Sequence, residues 1–245
     1  MDRMIYVAMT GAKQTLGQQA SVANNLANVN TNGFRAELAT FRAIPVLGQA
    51  QATRTFVTDS TVGADYTPGN LSSTGRPLDV AVQGSGWFAV QGANGSEGYS
   101  RDGHLEVTAS GALTTGNGLP VLGDNGPITV PPGSDVTVTA DGTVSATQAG
   151  TPPTITAVGR MKLVNPPASS LVRSDDGLFR TASGKPAPSD ANVQLAVGAL
   201  ETSNVNMAEQ MVRMIELSHA YELNTRLIST AGDNEKAASQ VLSLS

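Results

Sequence analysis

DRMIYVAMTGAKQTLGQQASVANNLANVNTNGFR, residues 2–35, decides how the rest of the chain is read. Ile5, Met9, Ala12, Leu16, Gln19, Ala23, Leu26 and Asn30 follow one another at alternating spacings of four and three. That spacing is the seam of a coiled-coil-like helix. The seam is thin, with Ala, Gln and Asn where a strong zipper carries Leu. Most helical stability comes from packing an apolar face, so a helix with this stripe needs a partner. Asn24, Asn25, Asn28, Asn30 and Asn32 follow, closed by Gly33. Asn24, Asn28 and Asn32 share one face. They are either a fraying, glycine-capped helix end or amides that set the register between neighbouring helices.

The bulk numbers bound the answer. The 245 residues suffice for one large domain or two smaller ones. Charged residues make up 14%, below the roughly 25% usual for globular domains. With 4% aromatics, a core must be built from Val, Leu, Ile and Ala. The 26 Gly and 13 Pro point to many turns between short elements. A net charge of −5 gives no electrostatic case for nucleic acid or an anionic membrane. No Cys means no disulfide and no thiolate metal site. Thr10, Gly11, Lys13 and Gln14 interrupt the apolar run that a cleaved signal peptide would need, and no stretch is long enough for a membrane span.

Further along, Phe34–Ile44 reads as a continuing helix that Pro45 stops. Residues 49–74 read as an extended, strand-and-loop connection with isolated apolar residues at Phe56, Val57, Val62 and Tyr66. From Gly75 the pattern changes. Leu78–Val82 and Trp87–Val90 read as strands around the Gly84-Ser85-Gly86 turn. The pairs Asn94-Gly95, Asp102-Gly103, Asn117-Gly118, Asn125-Gly126, Asp141-Gly142 and Asp176-Gly177 mark tight hairpins. Between them run the β-branched segments 128–130, 136–139 and 154–158, and 191–200 alternates once more.

Helical spacing returns at the end. Asn206 is placed to cap a helix, with Glu209 in the capping-box position. Met207, Met211, Met214, Ser218, Tyr221, Thr225 and Ile228 repeat the four-three pattern, and Ile215, Leu217, Leu223 and Leu227 widen it. The helix extends toward Leu244, with Gly232 its weak point. The expected fold is mixed α+β. N- and C-terminal helices pair in a coiled-coil-like bundle, and a central all-β domain lies between them in sequence. The expected limits are 1–44 for the first helix and its exit, 45–74 for the connector, 75–200 for the β domain and 201–245 for the last helix.

Chemistry-bearing patterns are few. Gly84-Ser-Gly-Trp-Phe-Ala89 fits the dinucleotide fingerprint, but that motif must open a helix and here the chain continues as strand. Arg101, Asp102 and His104 group a cation, a carboxylate and an imidazole, which we read as the flanks of an Asp-Gly hairpin. The rival is a β-domain enzyme or ligand-binding module using those three residues. With two His (His104 and His219), no Cys and no G-x-S-x-G elbow, no metal, cofactor or catalytic residue is assigned.

Three blocks together resemble one family. Asn24-Asn-Leu-Ala-Asn-Val-Asn-Thr-Asn-Gly-Phe-Arg35 is similar to the N-terminal motif of bacterial flagellar rod and hook axial proteins. Ser203-Asn-Val-Asn-Met-Ala-Glu-Gln-Met-Val-Arg-Met-Ile215, with Ala220-Tyr-Glu222, is similar to their C-terminal motif. Arg76-Pro-Leu-Asp-Val-Ala-Val-Gln-Gly-Ser-Gly-Trp-Phe88, Tyr99-Ser-Arg-Asp-Gly-His104 and Gly111-Ala-Leu-Thr114 agree with the middle. Within the family, the opening Met1-Asp-Arg-Met-Ile-Tyr6, Gly11-Ala12 and the modest length resemble the proximal rod type; a distal rod or hook subunit is the alternative.

The resemblance implies a non-enzymatic structural subunit of the basal-body rod, the torque-transmitting drive shaft in the periplasm. It implies export through the flagellar type III apparatus without cleavage. The implied partners are other rod subunits and copies of itself, with no nucleic acid, membrane insertion or small-molecule substrate. The assembly interface expected from the seams and motifs comprises Ile5, Met9, Leu16, Asn24, Asn25, Leu26, Asn28, Asn32, Gly33, Phe34, Asn204, Val205, Met207, Met211, Met214, Ile215, Tyr221 and Ile228.

Overall fold

Two long helices, about 39 and 55 Å at 1.5 Å per residue, begin and end the chain: α1 (Asp2–Ala27) and α2 (Met207–Ser243). The computed structural model describes residues 2–45, 55–148 and 154–243. It is mixed α+β and divides into two compact units. One comprises residues 1–29, 37–64 and 205–245; the other comprises 30–36 and 65–204.

In the helical unit α1 and α2 pack on each other in antiparallel fashion. Gly11 lies against Asn224, and the Gln19 amide donates to Ser218 Oγ at 2.9 Å. Asn206 caps α2 as expected, its Oδ1 accepting from the Glu209 amide at 3.3 Å. The helix runs on past Gly232. The expected helix over 34–44 is a strand instead. β1 (Glu37–Pro45) pairs antiparallel with β2 (Thr55–Ala64). Gly33, at φ +67°, takes the chain out of helical geometry, and strand pairing then overrides the weak helical preference of 37–45. In the expected connector, residues 46–54 lie outside the described residues and 55–64 are this second strand.

The β unit is entirely antiparallel. Its largest sheet orders Leu163–Val164, Trp87–Gln91, Glu97–Ser100, Phe179–Thr181 and Leu171–Arg173. A second sheet orders Ser134–Val138, Thr143–Gln148 and Thr154–Arg160. The alternation over 191–200 becomes two strands, Gln194–Val197 and Ala199–Glu201, parted by Gly198 and paired with Val80–Gln83 and Leu71–Ser73. Residues 128–130, expected as a strand, form one isolated bridge, Ala112 with Thr129, yet bury Ile128 and Val130. The core is Val80, Val82, Phe88, Leu105, Leu113, Val121, Val144, Met161, Leu163, Leu195 and their neighbours, an aliphatic interior as the composition requires. Residues 30–36 and 65–74 belong to this unit, so it reaches beyond the limits 75–200.

Five of the six Asn-Gly and Asp-Gly pairs have glycine at positive φ. Asp102-Gly103 does not. Gly103 is needed for closeness, because a Cβ there would stand 1.5 Å from the Val80 carbonyl oxygen.

Candidate assembly interface

On α1 the buried positions are Ala8, Ala12, Thr15, Val22 and Asn25, with Ile5, Gly11, Gln19 and Leu26 half-buried. The seam therefore runs 5, 8, 12, 15, 19, 22, 26. It shares every second position with the expected seam and is displaced by one residue at the others. On α2 it runs through Gln210, Met214, Leu217, Tyr221, Asn224, Ile228 and Ala231, displaced in the same way from the expected 211, 218 and 225. The reason on α1 is size: Ala8, Ala12 and Thr15 let the two backbones approach, and Met9 and Leu16 beside them turn outward. Tyr6 (65% exposed), Val7 (67%), Met9 (53%) and Leu16 (47%) on α1 stand clear of the seam. So do Met207, Met211, Val212, Ile215, Leu223 and Leu227 on α2. The outside of the pair thus carries a set of large apolar side chains among its charged ones (Glu209, Arg213, Glu216, Glu222 and Arg226), more than a self-sufficient amphipathic pair would show.

The asparagines fasten the chain to itself. Asn25 brackets the Glu37 backbone, donating from Nδ2 to its carbonyl at 3.0 Å and accepting at Oδ1 from its amide at 2.7 Å. Asn24 Nδ2 donates to Glu37 Oε1, and Asn28 Nδ2 donates to Asn24 Oδ1 at 2.8 Å. In the β unit Asn204 Oδ1 accepts from the Ala36 amide at 2.7 Å, while its Nδ2 donates to the Asp65 and Thr67 carbonyls.

Sequence reasoning missed the charged knot that ties residues 30–36 into the β unit. Arg35 and Glu201 are each 1% exposed and Arg101 is 4%. Arg35 Nη2 meets Glu201 Oε1 at 2.6 Å, and Arg101 Nη1 meets Oε2 at 2.8 Å. The Gly69 amide also donates to Oε1, and the Gly33 amide donates to the Glu201 carbonyl at 2.8 Å. Both guanidinium groups lie over the Trp87 ring, at 5.8 and 5.4 Å, and Trp87 packs on Phe179 and Tyr66. Gly33 is required twice over, by its positive φ and because a Cβ would stand 2.3 Å from the Arg101 backbone. Burial lowers the Arg101 pKa; Glu201 opposes that shift and the like charge of Arg35 reinforces it. One signal was available. In a chain so poor in charge, an Arg directly after Gly33-Phe34 is a candidate for a specific internal partner.

Arg101, Asp102 and His104 do not converge. Arg101 faces Glu201 and donates to the Gly84 carbonyl at 2.6 Å. His104 turns to Asp79 (2.9 Å) and lies against Arg76. Asp102 accepts from the His104 amide, and burial raises its pKa. Gly84–Gly86 is a bend between two strands, and Trp87 continues as strand. Among the described residues no group of His, Asp and Glu could hold a metal ion, and no helix is long and apolar enough to cross a membrane.

The expected interface residues thus fall into groups. Met9, Leu16, Asn24, Met207, Met211 and Ile215 are exposed. Ile5, Leu26, Asn28, Asn32, Asn204, Val205, Met214, Tyr221 and Ile228 are half-buried. Asn25, Gly33 and Phe34 are buried.

Comparison with known proteins matches three families in succession. "Flagella basal body rod protein" covers residues 5–35, "Flagellar hook protein FlgE/F/G D1 domain" covers 81–146, and "Flagellar basal body rod FlgEFG protein C-terminal" covers 196–241. The chain is 50% identical to the flagellar basal-body rod protein FlgF of Salmonella typhimurium and 48% identical to that of Escherichia coli, over the full length of both partners in each case. It is 32% identical to the flagellar basal-body rod protein FlgG of Buchnera aphidicola subsp. Schizaphis graminum, over 97% of this chain and 98% of the relative.

Proposed function

The chain belongs to the flagellar basal-body rod protein family, in its FlgF branch, and from that premise we propose how it serves as a structural subunit of the rod. It assembles with other rod proteins, and it joins them through the outward apolar face of its helix pair. The observation that carries this reading is the inversion of that pair: Ala8, Ala12 and Thr15 inside, Met9, Leu16, Met211, Ile215, Leu223 and Leu227 outside. Burying one such large apolar side chain contributes about 1.5–3 kcal/mol.

The finer parts of the reading follow from the same premise. The chain occupies the proximal rod, which its full-length identity of 50% and 48% to two FlgF relatives supports. It reaches the periplasm uncleaved through the flagellar export apparatus, and it works by rigid packing with no catalysis. Arg101 and His104, each paired with a different carboxylate (Glu201 and Asp79), support the last point. The half-buried and exposed members of the expected interface, with the outward ridge, form the contact zone. Asn25, Gly33 and Phe34 support it from within.

Site-specific photocrosslinking in isolated basal bodies tests the reading. A crosslinker at residue 215 or 16 is expected to capture other rod subunits, and one at residue 217, inside the pair, is not. Capture from 217 with none from 215 overturns it.

A further inference from the structure

The charged knot of the β unit is one negative charge short. Two guanidinium groups, Arg35 and Arg101, share the single carboxylate of Glu201, a formal sum of +1 among side chains no more than 4% exposed. Arg35 Nε and Nη1 and Arg101 Nε have no hydrogen-bond partner. A buried net charge with unmet donors is costly unless something supplies the opposite charge.

Arg101 also lines an open cleft of about 310 Å³. The Tyr66 and Trp87 rings, set edge to face at 6.2 Å, wall it together with Pro166 and Pro167, and the exposed Gly84-Ser85 turn edges it. Its chemistry is therefore divided, with flat apolar walls and the guanidinium of Arg101, which carries the knot's surplus charge, in its lining.

We infer that this cleft is a receptor for a carboxylate carried on an apolar or aromatic body. The carboxylate complements the surplus charge above Arg101, and the body packs between the rings and the prolines. The site stands on the cleft alone. Only the source of the carboxylate, an acidic side chain of a neighbouring rod subunit, rests on the assembly reading. A failure here therefore leaves that reading intact, and a failure of assembly leaves the site testable.

Trp87 is the chain's one tryptophan, so its fluorescence reports on this cleft. The experiment titrates the full chain with phenylacetate and, separately, with the neutral isostere phenylacetamide. Phenylacetate is expected to give a saturable change at a concentration at least about tenfold lower than the amide, the margin set by a hydrogen bond to a charged group. Ser85→Asp, which tethers a carboxylate beside Gly84, is expected to abolish the phenylacetate response and raise the melting temperature. Ala168→Glu, on the exposed rim, is a second variant expected to block the response should Ser85→Asp fail to fold. Equal responses to acid and amide, no saturable response, or a response that survives both variants overturns the inference.

Discussion

In the β unit the large apolar side chains, Phe88, Leu105, Leu113, Met161 and Leu195, are inside, and short polar turns make the surface. In the helix pair the inside holds Ala8, Ala12, Thr15, Val22, Gln210 and Leu217, and the outside holds Tyr6, Val7, Met9, Ile215 and Leu223. The same low-aromatic, low-charge composition thus makes a self-contained fold in one place and an unfinished one in the other. The large side chains left outside the pair are what the proposed contact with neighbours would cover. The β unit buries its own core, and its knot of Arg35, Arg101 and Glu201 joins the incoming chain to the outgoing one.

Substitutions can break this contrast or sharpen it, and their effects on the isolated chain fall in a definite order. Glu201→Ala leaves two buried guanidinium groups without their carboxylate and is expected to destabilise the β unit by about 3–5 kcal/mol. Urea denaturation followed by Trp87 fluorescence measures it, and an unchanged midpoint removes the knot from the account. Asn25→Ala strips both hydrogen bonds from the Glu37 backbone. It is expected to cost about 1–3 kcal/mol and to lower the helical signal in circular dichroism while the Trp87 transition stays put.

Ile215→Asp, on the exposed ridge, is expected to change monomer stability by less than about 0.5 kcal/mol yet abolish rod assembly, read by motility and by the yield of basal bodies. If assembly survives, the ridge is not the contact face. The smallest effect is electrostatic. Hydroxyl donors on Thr139 and then Thr143 hold the Asp141 carboxyl down to about 2, from an ordinary value of 3.8. A depressed folded pKa contributes stability above the unfolded value, and that contribution is lost as pH falls through the folded one. The stability of the wild-type chain should therefore decline more than that of Asp141→Asn between pH 3.8 and 2. The exposure of the group keeps the difference small.

Much of this was legible in the chain. The 3.5-residue spacing marked both terminal helices, the Asn206 cap marked the start of α2, and five Gly turns marked hairpins. What misled was the habit of placing the largest residues in the seam. Positions 8 and 9, 15 and 16, 210 and 211 fit the spacing equally well. Only the closeness of two backbones, set by Ala8, Ala12 and Gly11 against Asn224, chooses between them. Residues 37–45 are a strand because Thr55–Ala64, within the extended connection, pairs with them, and the local spacing over 34–44 carries no trace of that partner. The Arg35–Glu201 pair spans 166 positions, a distance that no motif reading bridges.

The central claim is that residues 30–36 fold with the β unit while α1 and α2 await their neighbours. Amide hydrogen exchange on dilute monomer tests it directly. The account predicts slow exchange for residues 33–36 alongside 80–83 and 87–91, and fast exchange along 2–27 and 207–243. Helices as protected as the β core, or 33–36 exchanging as fast as the helices, would contradict it.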